Sequence, residues 1–330
     1  MAVRVAVDAL GGDRAPEEIV AGASAAASPE IVPVLFGPPD LDALGLDHVE
    51  TDGAIEMDEA PVDAVRGKPD SSLVRAVRAV ADGEAAAVVS AGSTGAMLAA
   101  SLLHIRRQPG ALRPAIAVVI PARRRPTVLI DAGANADARP EHLVQFAHMG
   151  SVFAAEILGV VRPEVRLLSI GEEDEKGNQL TLEAHELLRA SDLLFAGNTE
   201  SRWLLEGAAD VVVADGFTGN VALKAVEGTI RSLLDALRGE IGSSVRGKLG
   251  GALIRPGARR LRERLDPETY GGAYLLGLRG LVVIAHGSSS RVAVANAIRL
   301  AAVGVEHRVV ERLEERLASG VVSGARGDAG

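Results

Sequence analysis

Short apolar runs recur along the chain, and most are followed by a glycine-bearing turn and then by a helical Ala/Leu/Arg pattern. The runs are Val3–Ala9, Ile31–Phe36, Ala86–Ser90, Ile116–Ile120, Thr127–Asp131, Val165–Ile170, Asp192–Ala196, Asp210–Ala214 and Gly280–Ala285. Helical periodicity fills Pro16–Ala27, Ser71–Ala81, Thr94–Ile105, Pro140–Leu158, Leu180–Arg189, Gly219–Leu237 and Ser289–Leu317. Apolar strands that alternate with helices require a largely parallel sheet covered on both faces, an α/β fold. One connection departs from this rule. Pro121-Ala-Arg-Arg-Arg-Pro126 is too short for a helical crossover, so the strands on either side of it pair antiparallel.

The chain has 330 residues, 48% of them hydrophobic, which suffices for a large buried core and excludes disorder as its main state. Without cysteine it has no disulfide scaffold, zinc ribbon or thiol nucleophile, and it suits a reducing cytoplasm. A net charge of −9 argues against general nucleic-acid binding. The N-terminal segment is a strand pattern with no basic leader, and no apolar run approaches the ~20 residues of a membrane span.

In a parallel sheet, ligands bind beyond the carboxyl ends of the strands, where turns and helix N-termini present backbone N–H groups. The turns here carry Gly11, Gly12 and Asp13; Gly92, Ser93, Thr94 and Gly95; Gly133 and Asn135; Lys176 and Asn178; Gly197 and Asn198; Asp215, Gly219 and Asn220; and His286 with Ser288. A rim built from them is rich in neutral donors and suits phosphate or another tetrahedral anion. Lys176 and Lys224, two of only four lysines, stand beside these turns and supply charge. Sharper motifs fail. Gly242-Ser-Ser-Val-Arg-Gly-Lys248 imitates a phosphate loop, but Leu249 replaces the magnesium-binding hydroxyl and no strand precedes it. There is no G-x-G-x-x-G after a strand, no G-x-S-x-G, and no histidine spacing suited to a metal. His104, His142 and His148 read as structural.

Residues 231–265 differ from the rest in charge, with nine basic against three acidic side chains. The segment reads as a protruding helical hairpin whose tip is the apolar stretch Gly250-Gly-Ala-Leu253-Ile254, flanked by Arg246, Lys248, Arg255, Arg259 and Arg260.

Taken in order, the turns resemble those of the bacterial phosphate acyltransferases, over about residues 3–318. The segments that carry the likeness are Asp8-Ala-Leu-Gly-Gly-Asp13 with Ala15-Pro16, Ser90-Ala-Gly-Ser-Thr-Gly-Ala96, Asp131-Ala-Gly-Ala-Asn135, Gly171-Glu-Glu with Lys176-Gly-Asn178, Gly197-Asn198, Asp215-Gly-Phe-Thr-Gly-Asn220 with Lys224, and His286-Gly-Ser288. Leu10 stands where the family commonly has Met, and Ser93 where Asn is frequent. The resemblance implies a three-layer α/β/α fold related to phosphotransacetylases and isocitrate dehydrogenase-like enzymes, with the chain as one domain. It also implies conversion of acyl-[acyl carrier protein] and inorganic phosphate into acyl phosphate for phospholipid synthesis. A homodimer and peripheral contact with the cytoplasmic membrane belong to the same expectation. The acyl phosphate would pass to a membrane-bound glycerol-phosphate acyltransferase.

The chemistry of the residues agrees with this. Phosphate is already an anionic nucleophile, so the protein needs only to hold it against the thioester and stabilise the oxyanion, with no cofactor or metal. Phosphate is expected on the Ser90–Gly95 turn and Asn220, with Lys176 and Lys224 supplying charge. His286 or Asn198 is expected to donate to the thioester oxygen, while Asp8 and Asp13 orient their turns. Other readings are a phosphotransacetylase-like enzyme using coenzyme A, a metal- and NAD-dependent decarboxylating dehydrogenase, and a non-catalytic membrane scaffold.

Overall fold

A computed structural model describes residues 2–265 and 270–318, without the side chains of 262–265. Among the described residues eleven strands form one sheet: β1 (Val3–Asp8), β2 (Ile31–Gly37), β3 (Asp47–Glu50), β4 (Ala87–Ser90), β5 (Ala115–Ile120), β6 (Thr127–Ile130), β7 (Glu164–Leu168), β8 (Leu194–Thr199), β9 (Val211–Val213), β10 (Ala273–Leu276) and β11 (Leu281–Ile284). The helices are α1 (Glu17–Ala26), α2 (Pro61–Gly67), α3 (Ser72–Ala81), α4 (Thr94–His104), α5 (Pro140–Leu158), α6 (Gln179–Arg189), α7 (Gly216–Gly242), α8 (Val245–Leu265), α9 (Arg291–Glu306) and α10 (Val309–Ala318). Two apolar cores lie on opposite faces of the sheet. One buries residues of α1, α5, α6, α9 and α10, such as Ile19, Phe146, Leu188, Ile298 and Leu313. The other buries residues of α2, α3 and α4, such as Val65, Leu73 and Met97, with Leu223 of α7 packed against it. This is the expected three-layer α/β/α arrangement.

Strand order is β3-β2-β1-β4-β11-β10-β5-β6-β9-β7-β8. Pairing is parallel except at three successive junctions, β11–β10, β10–β5 and β5–β6. The β5–β6 hairpin is the one its short connection predicts. Three reversals leave the block β1–β4 with β11 running opposite to the block β6–β9. The expected single rim is therefore divided: the turns after β1, β4 and β11 lie at one edge, and those after β6, β7, β8 and β9 at the other. α7 joins the two. Asn220 stands beside Gly133 of the second edge, and Lys224, one turn later, reaches His286 of the first.

The hairpin is present, with two differences. Its first arm is the outer part of α7, which runs unbroken through residue 231 from Gly216. Its turn falls at Ser243 and Ser244, where Ser243 Oγ donates to the Glu240 carbonyl and Gly247 N–H donates to Ser244 Oγ. Gly250–Ile254 is therefore not a loop tip but part of α8. Glycine there serves helix packing: a Cβ at Gly251 would lie 2.5 Å from Ile241 Cγ2 of the facing arm. The imitation phosphate loop is simply this turn. The long helix expected over Ser289–Leu317 is also broken, at His307–Arg308, where Arg308 takes φ 54°.

Candidate active site

Two buried carboxylates fix the turns on either side of the cleft. Asp8, at the end of β1, accepts from Ser72 Oγ at 2.6 Å, Ser90 Oγ at 2.6 Å and the Leu10 N–H at 3.3 Å. Ser90 Oγ in turn accepts from the Gly92 N–H, so one carboxylate clamps the turns after β1 and β4 to the start of α3. Burial raises the Asp8 pKa, and these hydrogen bonds pull it back. Asp131 does the same after β6. It accepts from the N–H groups of Ile116, Gly133, Ala134 and Asn135 and from the Asn135 amide, and burial again raises its pKa against them. Each hydrogen bond to a charged group is worth about 1.5–3 kcal/mol, so saturation is what makes these buried carboxylates tolerable.

Asp215 caps α7, accepting from the Thr218 N–H and hydroxyl. The close approach of α7 to the Asp131 turn requires Gly219, because a Cβ there would run into the Asp131 carbonyl oxygen. Gly12 holds φ 108°, which leaves the Asp13 N–H to donate to the Gly287 carbonyl at 2.8 Å. That bond ties the turn after β1 to the turn after β11.

Between these turns and α7 opens a cleft of about 510 Å³. Its inner end is lined by Thr94 at the N-terminus of α4, by Gly133, Asn220 and Lys224, and by His286 and Ser288. Lys224 Nζ lies 3.5 Å from His286 Nε2 and 2.8 Å from the Glu227 carboxylate. The Ser288 N–H points at His286 Nδ1 at 3.3 Å, with the Ser288 hydroxyl at 2.9 Å. A backbone N–H can only donate, so Nδ1 accepts and the neutral ring carries its proton on Nε2. Two donors thus converge in a cleft that Thr94 at the N-terminus of α4 also lines, with the Glu227 carboxylate beside Lys224. That is the electrostatics of a site for an anion and a developing oxyanion.

Among the expected site residues, Thr94, Asn220, Lys224, His286 and Ser288 line this cleft directly. Asp8, Gly11, Gly12, Asp13, Ser90, Gly92, Ser93, Gly95, Asp131, Asn135, Asp215 and Gly219 build the turns around it. Ser93 caps α4 through the Ala96 N–H, and Gly95 sits against Pro61. Lys176 and Asn178, after β7, stand apart from the cleft lining, as does Asn198, which with Gly197 lies within β8 rather than in the expected turn. Asn178 caps α6 through the Thr181 N–H. The Asn198 amide donates to the Glu173 carbonyl while its oxygen faces His185 Nδ1, so its polar atoms are engaged internally and point to no substrate. Sequence reading missed Glu227 as a site residue. Glu227 was legible, since it lies three residues after Lys224 on the same helix face.

The three-layer α/β/α sheet is a fold shared with solved phosphotransacylases. A phosphotransacetylase from Streptococcus pyogenes superposes with a TM-score of 0.60 at 18% identity, covering 94% of each chain. The fatty acid synthesis protein family model matches residues 3–312. A phosphate acyltransferase of Heliobacterium modesticaldum is 45% identical over 96% of this chain and 98% of its own. One of Pelotomaculum thermopropionicum is 46% identical over 99% and 98%. The chain belongs to this phosphate acyltransferase family of fatty acid synthesis proteins, and it is a transferase.

Proposed function

We propose that the enzyme transfers a long-chain acyl group from acyl carrier protein to inorganic phosphate, reversibly, for phospholipid synthesis. The observation that carries this reading is the convergence of Lys224 Nζ and His286 Nε2, 3.5 Å apart in the cleft. Hydrogenphosphate sits on Asn220, Lys224 and the start of α4, and its oxygen attacks the thioester carbon. His286 Nε2–H donates to the carbonyl oxygen as it becomes an oxyanion, a single donor worth ~3–4 kcal/mol. The C–O bond forms, the C–S bond breaks, and the hydrogenphosphate proton ends on the carrier thiol. Holding the two reactants together contributes ~7–11 kcal/mol more. Lys176 stands outside the cleft lining, so in this reading the lysine charge beside phosphate comes from Lys224.

Membrane contact and a homodimer belong to the same reading. No described helix is long and apolar enough to cross a membrane. Support for peripheral contact comes from α8, where Arg246, Lys248, Arg255, Arg259 and Arg260 are exposed together with Leu249, Leu253 and Ile254. The deciding assay measures free carrier thiol and acyl phosphate from palmitoyl-acyl carrier protein with and without phosphate. Equimolar products that require phosphate are expected. Thiol release without phosphate, or faster turnover of acetyl-coenzyme A, would overturn the reading.

A further inference from the structure

We propose that the outer part of the cleft, beneath α7, seats the acyl chain, and that Ile230 and Leu234 set the chain lengths that fit. The inference rests on the acyl-transfer reading above. The groove is continuous with the reactive end, because one cleft is lined both by Lys224 and His286 and by Ile230 and Leu234. Leu223, Ile230 and Leu234 recur at helical spacing and are half-buried, whereas Leu233, on the flank of that stripe, is exposed and outside the cleft lining. The facing wall is apolar sheet: Ile116 and Val118 of β5, Ala273 of β10 and Ile284 of β11.

At 1.5 Å per residue, Leu234 lies about 15 Å along α7 from Lys224. A chain whose thioester carbon sits beside Lys224 and His286 therefore has a long apolar path ahead of it. The cleft lining carries both signs, with Lys224, Arg231 and Arg238 against Glu227 and Asp235. Glu227 pairs with Lys224 at 2.8 Å, and Asp235 pairs with Arg238 at 2.6 Å. An anion in the outer groove would meet Asp235 as well as Arg231 and Arg238, so the rim charges do not select the occupant, whereas the amides of a pantetheine arm would find a hydrocarbon wall. Each methylene moved from water into such a wall is worth about fourfold in affinity, so the depth of the groove becomes a preference for length.

The test compares kcat/KM on palmitoyl- and octanoyl-acyl carrier protein. Leu234→Trp and Ile230→Trp block the outer groove and should each lower the palmitoyl-to-octanoyl ratio at least tenfold. Leu233→Trp, exposed on α7 and outside the cleft lining, should leave that ratio within twofold of the parent. Should a Trp variant lose its circular dichroism, Leu234→Asn, which removes apolar contact without adding bulk, should still lower the ratio at least threefold. An equal loss on both substrates would place the carrier's arm in the groove and overturn the proposal, as would an unchanged ratio. A parent enzyme that makes no acyl phosphate from either thioester overturns the acyl-transfer reading itself, and this proposal with it.

Discussion

Lys224 and His286 do different work at nearly the same point, and kinetics can separate them. Lys224 carries charge toward phosphate from α7, held by Glu227 at 2.8 Å. Lys224→Ala should raise the phosphate KM at least tenfold, equivalent to ~1.4 kcal/mol, with the fold intact by circular dichroism. An unchanged phosphate dependence in a folded variant would remove Lys224 from the anion site. His286 offers its Nε2–H only to charge that develops during the reaction, so its loss should fall on kcat. His286→Ala is expected to lower kcat by ~10²–10³, and His286→Asn, which retains an N–H donor, by less. Equal small losses in both would leave His286 a packing residue, fixed by Ser288 for shape alone.

At the scale of elements, α5 carries a group whose burial makes stability depend on pH. His148 is 1% exposed, and among the described residues neither ring nitrogen has a hydrogen-bond partner. Burial, reinforced by Arg316 and opposed by Asp192, pushes its pKa down to about 4. Above pH 6.5 the ring is neutral whether the chain is folded or not. Below that, the unfolded chain takes up a proton that the native ring refuses, so stability falls from about pH 6.5 down to about pH 4. The full loss is about 3 kcal/mol, because each tenfold drop in proton affinity on folding corresponds to ~1.36 kcal/mol. His148→Leu should flatten urea-midpoint dependence between pH 6.5 and 4.5; a slope equal to the parent's would assign the acid loss to other groups. The sequence shows His148 as structural, because it stands on a buried helical pattern, but not the missing partners. The same division holds for the fold. Apolar runs such as Val3–Ala9 and Gly280–Ala285 are legible because both faces are buried. β3, with the sequence Asp-His-Val-Glu, is too polar to read, and β10 is four residues hidden behind Gly271-Gly272. Missing β10 hides the reversal of the second block, and with it the separation of Lys176 and Asn198 from the cleft. The break before α10 carries no Gly or Pro, so only packing against α5 reveals it.

The whole molecule is acidic, yet residues 231–265 concentrate basic charge on the hairpin that extends the wall of the cleft. On α8, Val245, Leu249 and Leu253 are spaced four apart and are 76%, 66% and 83% exposed. Full burial of each is worth ~1.5–3 kcal/mol, and each basic residue near an anionic leaflet adds ~1 kcal/mol. Neither term alone holds a protein on a membrane, but together they give reversible attachment, and a second hairpin in a dimer multiplies it. Charge alone serves a second partner equally well, since it raises the encounter rate with an acidic carrier protein in a salt-sensitive way. The two roles part when the apolar stripe is changed and the charges are kept. Leu249→Glu with Leu253→Glu should abolish sedimentation with phosphatidylglycerol vesicles while turnover of soluble palmitoyl-acyl carrier protein falls less than threefold. Arg259→Glu with Arg260→Glu should weaken both. If vesicle binding survives the first pair, the stripe is not the anchor, and α8 instead packs against the carrier protein or a second copy of the chain.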